Sequence, residues 1–288
     1  MPRIMIDPAL CKKEGICAEI CHRFLQRDKT LAPEVVDEES CNSCGHCVAI
    51  CPQGAITHVD FPQGSIRPVK QEAIPSFEQV DELIRARRSR REFRDRPIER
   101  EVIEKVLDGA RFAPSAKNVQ STEFIVIQNK AALSKITELT ADYLAKISKQ
   151  LRNPILRVLL QVAGGREVKA AIQRVGDFEK VVSDVRNGKD RILMDAPVLL
   201  LFHADRGAIF AGVNANLSLQ NATLVSETLG LGSFYTGYVV AACDRDNRIP
   251  GLLRLPKEHK IYGGLALGYP KYRYKNWIER RPPRIRWI

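Results

Sequence analysis

Two runs of closely spaced cysteines near the start of the chain are the residues best suited to chemistry. Seven of the eight cysteines lie between Cys11 and Cys51, and only Cys243 lies elsewhere. The second run has the spacing C-x₂-C-x₂-C-x₃-C-P. Zinc is usually held by two separated C-x₂-C pairs, so this compact run favours an iron–sulfur cluster over a zinc site.

The first run matches the second position for position, with two exceptions. Glu14 stands where the second cysteine is expected, and His22 replaces the proline that follows the last cysteine. A carboxylate is a harder ligand than a thiolate, so iron held beside Glu14 should be more labile. Three outcomes stay open: a [4Fe–4S] cluster completed by Glu14 or water, a [3Fe–4S] cluster, or no second cluster.

With these two runs, residues 1–62 resemble a two-cluster bacterial ferredoxin domain. The resemblance implies one complete [4Fe–4S] cluster, whose ligands are Cys21, Cys41, Cys44 and Cys47. It implies a second [4Fe–4S] or [3Fe–4S] cluster, whose ligands are Cys11, Cys17 and Cys51, with Glu14 as the candidate fourth ligand. Cys243 has no place in either set, and an ordinary buried position is expected for it.

The rest of the chain is strongly basic. The 288 residues carry a net charge of +11, and residues 81–288 hold 37 basic and 23 acidic side chains. Seven arginines crowd between Arg85 and Arg96, around Ser89. Guanidinium groups bind phosphate through paired hydrogen bonds. The charge by itself fits a nucleotide-phosphate site and a nucleic-acid groove equally well.

Five motifs distinguish these two interpretations. They are R-R-S-x-R-x-F from Arg87, A-P-S-x-x-N-x-Q from Ala113, D-A-P-V from Asp195, a long apolar helix from Asn214, and L-G-Y-P from Leu267. In this order and spacing they resemble the FMN-dependent nitroreductase family over residues 76–288. The resemblance implies an FMN enzyme and no nucleic-acid partner.

The same resemblance implies which residues contact FMN. At the phosphate and ribityl chain it places Arg87, Ser89 and Arg91, with Arg88 inside the same motif. From the partner subunit of a homodimer with FMN at its interface it brings Pro114, Ser115 and Asn118. Beside the reactive flavin nitrogen it places backbone groups of Tyr235, Thr236 and Gly237. Arg280 or Arg281 is the candidate late basic residue at the phosphate, and no side chain is required as an acid or base.

Helices and strands must position these motifs. Ser76 and Gln79 form a capping box that predicts a helix, and a second helix is predicted after Pro97. The sequence predicts strands over 123–128, 198–204, 233–240 and 261–267, and mostly helix over 131–185. Within it, residues 146–180 form either the family's variable lid, as the resemblance implies, or a packed pair of helices. The expected organisation is a ferredoxin-like domain (1–62), a linker (63–75), and an α+β domain (76–288) with a mainly antiparallel sheet flanked by helices.

These features predict an FMN-dependent oxidoreductase that exchanges electrons between its clusters and FMN and reduces a small nitroaromatic or quinone-like acceptor. NAD(P)H or an acidic redox protein is the expected electron partner. The alternative is an electron-transfer protein that relays electrons to or from an acidic protein. No apolar run is long enough for a membrane span and no secretory signal is visible, so a cytoplasmic location without membrane contact is expected.

Overall fold

The computed structural model describes residues 2–155 and 172–288, which divide into two compact units. One unit consists of Met1–Pro75 with Ala116–Val119, and the other of Ser76–Ser115 with Gln120–Ile288. Of the predicted lid over 146–180, residues 156–171 lie outside the described residues. No helix among the described residues has the length and apolar character that crossing a membrane requires.

The first unit is built from two short helices and two small antiparallel strand pairs. The pairs are β1 with β4 and β2 with β3. Each helix follows a cysteine loop and begins after a glycine in the left-handed conformation, Gly15 (φ 75°) or Gly45 (φ 74°). The elements are β1 (Ile4–Ile6), α1 (Ile16–Ile20), β2 (Phe24–Leu25), β3 (Glu34–Val35), α2 (His46–Ile50) and β4 (Ile56–His58).

A four-stranded antiparallel sheet forms the centre of the second unit, in the order β5–β6–β8–β7. Its strands are β5 (Glu123–Ile127), β6 (Val198–Asp205), β7 (Gly232–Tyr235) and β8 (His259–Gly268). In β6, Leu199 and Leu201 pack into a core on one face, and Leu200 and Phe202 into a core on the other. The strand is therefore buried on both faces, which explains its unbroken apolar sequence.

Helices cover both faces of this sheet. Their bounds are α3 (Phe77–Ala86), α4 (Arg100–Arg111), α5 (Lys130–Arg152), α6 (Val175–Arg186), α7 (Ala211–Thr228), α8 (Gly237–Arg245) and α9 (Arg248–Leu252). Helices α4 and α7 pack against one face, and α5, α6 and α8 against the other. The capping box of Ser76 and Gln79 is present at the start of α3. The predicted α+β class with an antiparallel sheet flanked by helices is confirmed.

The strand predicted over 233–240 is wrong in its second half. Strand β7 ends at Tyr235, and α8 begins at Gly237. Two adjacent valines, Val239 and Val240, favour a strand by local propensity. Val239, Ala242 and Cys243 are nevertheless buried at helical spacing against the core. Burial of this apolar stripe outweighs the local preference, and it places Cys243 in the core, as expected.

Candidate functional site

Four thiols of the first unit form one set around Cys47. Burial raises the pKa of the Cys47 thiol to about 11, and the neighbouring Cys21, Cys41 and Cys44 add to this shift by charge repulsion. All four are free cysteines. Thiols that resist ionisation next to one another are stabilised as thiolates by a positively charged metal centre.

The other three thiols form a second set. Burial raises the pKa of Cys17, and repulsion from Cys51 and Cys11 adds to it. These three cysteines line one cavity together with Glu14. The seven thiols thus divide into the two groups that the ferredoxin resemblance implies, and the donor chemistry fits iron–sulfur clusters.

Backbone N–H groups point at sulfur in both cysteine loops. The N–H of Lys13 donates to Cys11 Sγ, and the N–H of Ser43 donates to Cys41 Sγ, each at 3.4 Å. A third N–H, that of Ala55, donates to Sγ of Cys51 at 3.3 Å. Such bonds stabilise thiolate charge and tune cluster potentials.

Glu14 occupies the position in its loop that Cys44 holds in the other loop. Its side chain is exposed, and Oε1 accepts a hydrogen bond from Gln53 Nε2 at 3.5 Å. The carboxylate lies at the wall of the cavity that also contains Cys11, Cys17 and Cys51. Ligation of iron by Glu14 stays a prediction.

His58 is a residue that the sequence analysis missed. Its ring is buried, and Nε2 lies 3.6 Å from Cys41 Sγ. Burial lowers the pKa of His58, so the ring is neutral. Because Nδ1 accepts a hydrogen bond from the N–H of Asp60 at 3.1 Å, the proton resides on Nε2, which donates to the Cys41 sulfur. A histidine 17 positions further along the chain carries no local signal of this contact.

The arginine run of the second unit leaves α3 and runs beside the start of β7. Ser89 forms a parallel bridge with Ser233, and the N–H of Arg90 donates to the Ser233 carbonyl at 2.9 Å. The buried Arg90 guanidinium is paired with Glu227 of α7. Burial raises the pKa of Glu227, and the charges of Arg90 and Arg87 oppose this shift. Arg90 therefore anchors the run, a role that the motif did not reveal.

Three guanidinium groups of this run are available for an anion. Among residues 2–155 and 172–288, no carboxylate lies within 4.0 Å of the guanidinium groups of Arg87, Arg88 or Arg91. The Arg91 guanidinium lies 5.4 Å from the ring centre of Phe234 in β7. Arginines that make no direct ion pair, next to the Ser89 hydroxyl, suit a phosphate ester. The donor set thus fits the FMN phosphate.

The segment from Tyr235 to Gly237 lies where β7 ends and α8 begins. The N–H of Thr236 donates to the Gly264 carbonyl at 2.8 Å, so this N–H is already engaged. The Thr236 hydroxyl is buried and has no hydrogen-bond partner among the described residues. The Tyr235 hydroxyl donates to Asn216, and burial raises its pKa. The Ser89–Ser233 bridge places the arginine run beside β7, the strand that leads into this segment.

The A-P-S-x-x-N-x-Q segment divides between the two units. Pro114 and Ser115 line a cavity in the second unit, and Ser115 Oγ accepts a hydrogen bond from the N–H of Gln120 at 3.0 Å. Asn118 belongs to the first unit, where its side-chain amide donates to the Ser43 carbonyl at 2.7 Å. The FMN contacts of these three residues stay a prediction.

Arg280 and Arg281 lie in an exposed C-terminal segment without helix or strand. The neighbouring Glu279 is 3.4 Å from Arg85 at the end of α3, and the Arg85 guanidinium lies 4.7 Å from the ring centre of Trp277. These contacts hold the C-terminal segment beside the start of the arginine run. Contact of Arg280 or Arg281 with the FMN phosphate stays a prediction.

Family models match both units. The description "Nitroreductase family" applies to residues 84–269, and "4Fe-4S binding domain" applies to residues 34–57. FMN reductase [NAD(P)H] of Bacillus subtilis (strain 168) is 28% identical over 183 residues, which cover 64% of this chain and 62% of that protein. This chain thus spans less than two thirds of that relative's length.

Two further proteins are similar to one unit each. Ferredoxin 7Fe of Hydrogenibacillus schlegelii is 31% identical over 61 residues, which cover 21% of this chain and 77% of the ferredoxin. A solved FMN-dependent nitroreductase from Clostridium difficile R20291 shares the fold with a TM-score of 0.52 and 21% identity, covering 74% of this chain and 100% of that chain. This chain therefore belongs to the nitroreductase family of FMN-dependent oxidoreductases and carries a 4Fe–4S binding domain of the ferredoxin type.

Proposed function

We propose that this chain passes electrons between cysteine-held iron–sulfur clusters and FMN, and delivers them to a small organic acceptor of the nitroaromatic or quinone type. The observation that carries the proposal is the division of seven thiols into two cluster-like sets in a chain whose second unit has the nitroreductase fold. Joining donor and acceptor in one polypeptide raises their effective concentration. We further propose residues 1–62 as the cluster domain, 63–75 as the linker and 76–288 as the flavin domain.

In this proposal the arginine run binds the FMN phosphate. Arg87, Arg88 and Arg91 have no carboxylate within ion-pair distance in the described part of the chain, and Ser89 supplies a hydroxyl. Arg90 keeps the run against β7 through Glu227 and Ser233. A fixed backbone lowers the cost of ordering these long side chains around an anion.

The remaining candidate flavin contacts lie where β7 ends and α8 begins. FMN, when bound, supplies a centre that accepts electron pairs and single electrons. Helix α8 begins at Gly237, and the first N–H groups of a helix have no partner within it. These N–H groups and the unpartnered Thr236 hydroxyl are the candidate donors to the flavin ring. A partner subunit would bring Pro114, Ser115 and Asn118, so we propose a homodimer.

For the second cluster we propose a [3Fe–4S] centre held by Cys11, Cys17 and Cys51. The relative called Ferredoxin 7Fe supports this choice, because one four-iron and one three-iron cluster together contain seven irons. The exposed Glu14 carboxylate, within reach of Gln53, supports it as well. A [3Fe–4S] centre takes one thiolate on each of its three irons, and this set supplies three thiolates.

A direct test follows both chromophores in the anaerobically purified, cofactor-loaded protein. The clusters are reduced with limited dithionite, and nitrobenzene is then added while flavin and iron–sulfur absorbance are recorded. We expect both absorbances to recover together in the wild type. In Arg91→Ala, FMN affinity should fall by about tenfold or more, because a charged hydrogen bond to phosphate is lost. The clusters should then stay reduced.

The matched control is Arg100→Ala, which removes an 84% exposed arginine side chain paired with Glu104 on α4. This variant should retain FMN and recover like the wild type. Recovery of the cluster absorbance at the wild-type rate in flavin-depleted Arg91→Ala would show that the acceptor takes electrons without FMN. The proposal would then be wrong.

The charge of the chain supports a second candidate, a relay to or from an acidic redox protein. Residues 81–288 hold 37 basic and 23 acidic side chains. Such an excess accelerates encounters with an acidic partner, and salt suppresses the acceleration. Absence of nitrobenzene turnover, together with fast, salt-sensitive reduction by an acidic ferredoxin, would favour this relay over the small-molecule reductase.

A further inference from the structure

Three side chains of metal-ligand type meet at one end of the central sheet, in a place that the flavin and cluster chemistry does not use. They are Glu123, His203 and His259, and one ligand atom of each lies within 4.8 Å of the other two. Nδ1 of His203 is 2.9 Å from Nδ1 of His259, and Nε2 of His259 is 4.0 Å from Glu123 Oε1. None of them lies in the two cysteine loops.

Sheet register brings the three residues together. Glu123 is the first residue of β5 and pairs directly with His203 of β6. His259 is the first residue of β8, and the β6–β8 pairing shifts register between Phe202 and His203. A bulge of this kind re-aims the side chains that follow it. The three side chains therefore converge from adjacent strands, which gives them a rigid support.

The donor set is that of a divalent transition-metal site. Two imidazoles and one carboxylate bind zinc in several enzymes, and imidazole also suits nickel and copper. Two nitrogens on one tetrahedral ion are about 3.4 Å apart, given bonds of roughly 2.0–2.1 Å. The observed 2.9 Å requires only a small separation of the rings.

Burial and exposure also suit such a site. His203 is 4% exposed, so packing fixes its ring at the inner side of the site. The His259 side chain is 14% exposed and that of Glu123 is 61% exposed, which leaves a path from solvent. The carboxylate supplies negative charge next to the two imidazole rings.

We propose that Glu123, His203 and His259 bind one divalent transition-metal ion of the zinc or nickel class, which ties together the ends of β5, β6 and β8. The competing explanation is a simple hydrogen bond between the two histidine rings. The metal site predicts uptake of an ion that is weakened when Glu123 or His259 is replaced, whereas a simple hydrogen bond predicts no such uptake. The proposal is independent of the proposed redox function.

The test titrates Ni²⁺ into the full-length, oxidised, cluster-loaded and FMN-loaded protein under anaerobic conditions, with calorimetry and metal analysis after desalting. We expect one Ni²⁺ per chain and a rise in the thermal midpoint, because a ligand that binds only the folded state stabilises it. His259→Gln should weaken binding by roughly 10- to 100-fold or more, and Glu123→Gln should weaken it measurably.

Matched controls exclude other sites. Glu138→Gln removes an exposed carboxylate of α5, and His46→Gln removes an exposed histidine of the first unit, and both should bind Ni²⁺ like the wild type. Glu123 is exposed, so its variant tests the site without risk to folding. The proposal would be overturned if the wild type took up no Ni²⁺. It would also be overturned if His259→Gln and Glu123→Gln took up as much Ni²⁺ as the wild type. Loss of Ni²⁺ binding in the control variants as large as that in His259→Gln would overturn it as well.

Discussion

The two cysteine loops of the first unit share a backbone conformation and differ at one position, where Glu14 stands in place of a cysteine. Lys13 and Gly15 of the first loop have positive φ, as do Ser43 and Gly45 at the matching positions of the second. In both loops an N–H lies 3.4 Å from the first sulfur. Glycine and the N–H contact set the path of the loop, whereas the side chain at the second ligand position sets how many thiolates it presents.

Different side chains brace the two loops. Arg3 donates to the Cys41 carbonyl at 3.0 Å and to Ser43 Oγ at 2.6 Å. In the other loop, Gln26 Nε2 donates to the Lys13 carbonyl at 2.9 Å. A charged group thus braces the loop with the full cysteine set, and a neutral amide braces the loop with Glu14. Loops of one shape can be held by unrelated contacts.

Removal of a buried cysteine from the four-thiol set should have the largest effect. Cys47→Ala deletes the 7% exposed thiol at the centre of the four-thiol set. We expect iron to fall from about seven to about six or fewer atoms per chain, measured by anaerobic iron and sulfide analysis, because three thiolates hold at most a three-iron centre. Cys243→Ala is the control, because Cys243 is buried in α8 of the other unit. Unchanged iron in Cys47→Ala would contradict the assignment.

Addition of a fourth thiol to the set of Cys11, Cys17 and Cys51 should have the next largest effect. Glu14→Cys gives the first loop the cysteine spacing of the second, so we expect iron to rise from about seven to about eight atoms per chain. Loss of the electron paramagnetic resonance signal of an oxidised three-iron centre should accompany the gain. Glu19→Cys adds an exposed thiol on α1 as the control. A wild-type content of eight irons would exclude the three-iron centre.

The shared backbone predicts equal sensitivity of the two glycines. Gly15→Ala and Gly45→Ala place a side chain at φ near 75°, which costs about 1–2 kcal/mol in each loop. The added Cβ would lie 3.3 Å from the Phe61 ring at Gly45 and would displace the end of the Gln26 side chain at Gly15. Anaerobic urea unfolding, followed by cluster absorbance, measures the effect. Gly64→Ala has open space and should be neutral, and a loss in only one loop would refute the equivalence.

The smallest effect is expected from His58, which contacts only the second loop. His58→Phe removes the donor to Cys41 Sγ, and loss of a hydrogen bond to sulfur disfavours the reduced, more negative cluster. If the bond stabilises the reduced cluster more than the oxidised one by roughly 0.5–1 kcal/mol, its loss lowers the midpoint potential by about 20–40 mV. A redox titration followed by electron paramagnetic resonance resolves the two clusters. An equal shift of both clusters would contradict a local contact.

Much of the site could be predicted from the sequence because its signals are local. The cysteine spacings lie within eleven residues, and the capping box of Ser76 and Gln79 within four. The Arg90–Glu227 pair joins residues 137 positions apart, and no pattern along the chain indicates it. The strand predicted through Val240 failed for the same reason, since core contacts of α8 outweigh local propensity.

The sequence by itself determined the ligand types, the shape of the cysteine loops and the family motifs, because short-range geometry and side-chain chemistry fix these. Only the tertiary structure decided which groups meet. It placed His58 at the Cys41 sulfur, Ser89 beside Ser233, and His203 against His259. The physical reason is that strand register and burial depend on the whole sheet, and a one-residue shift in register changes every such contact.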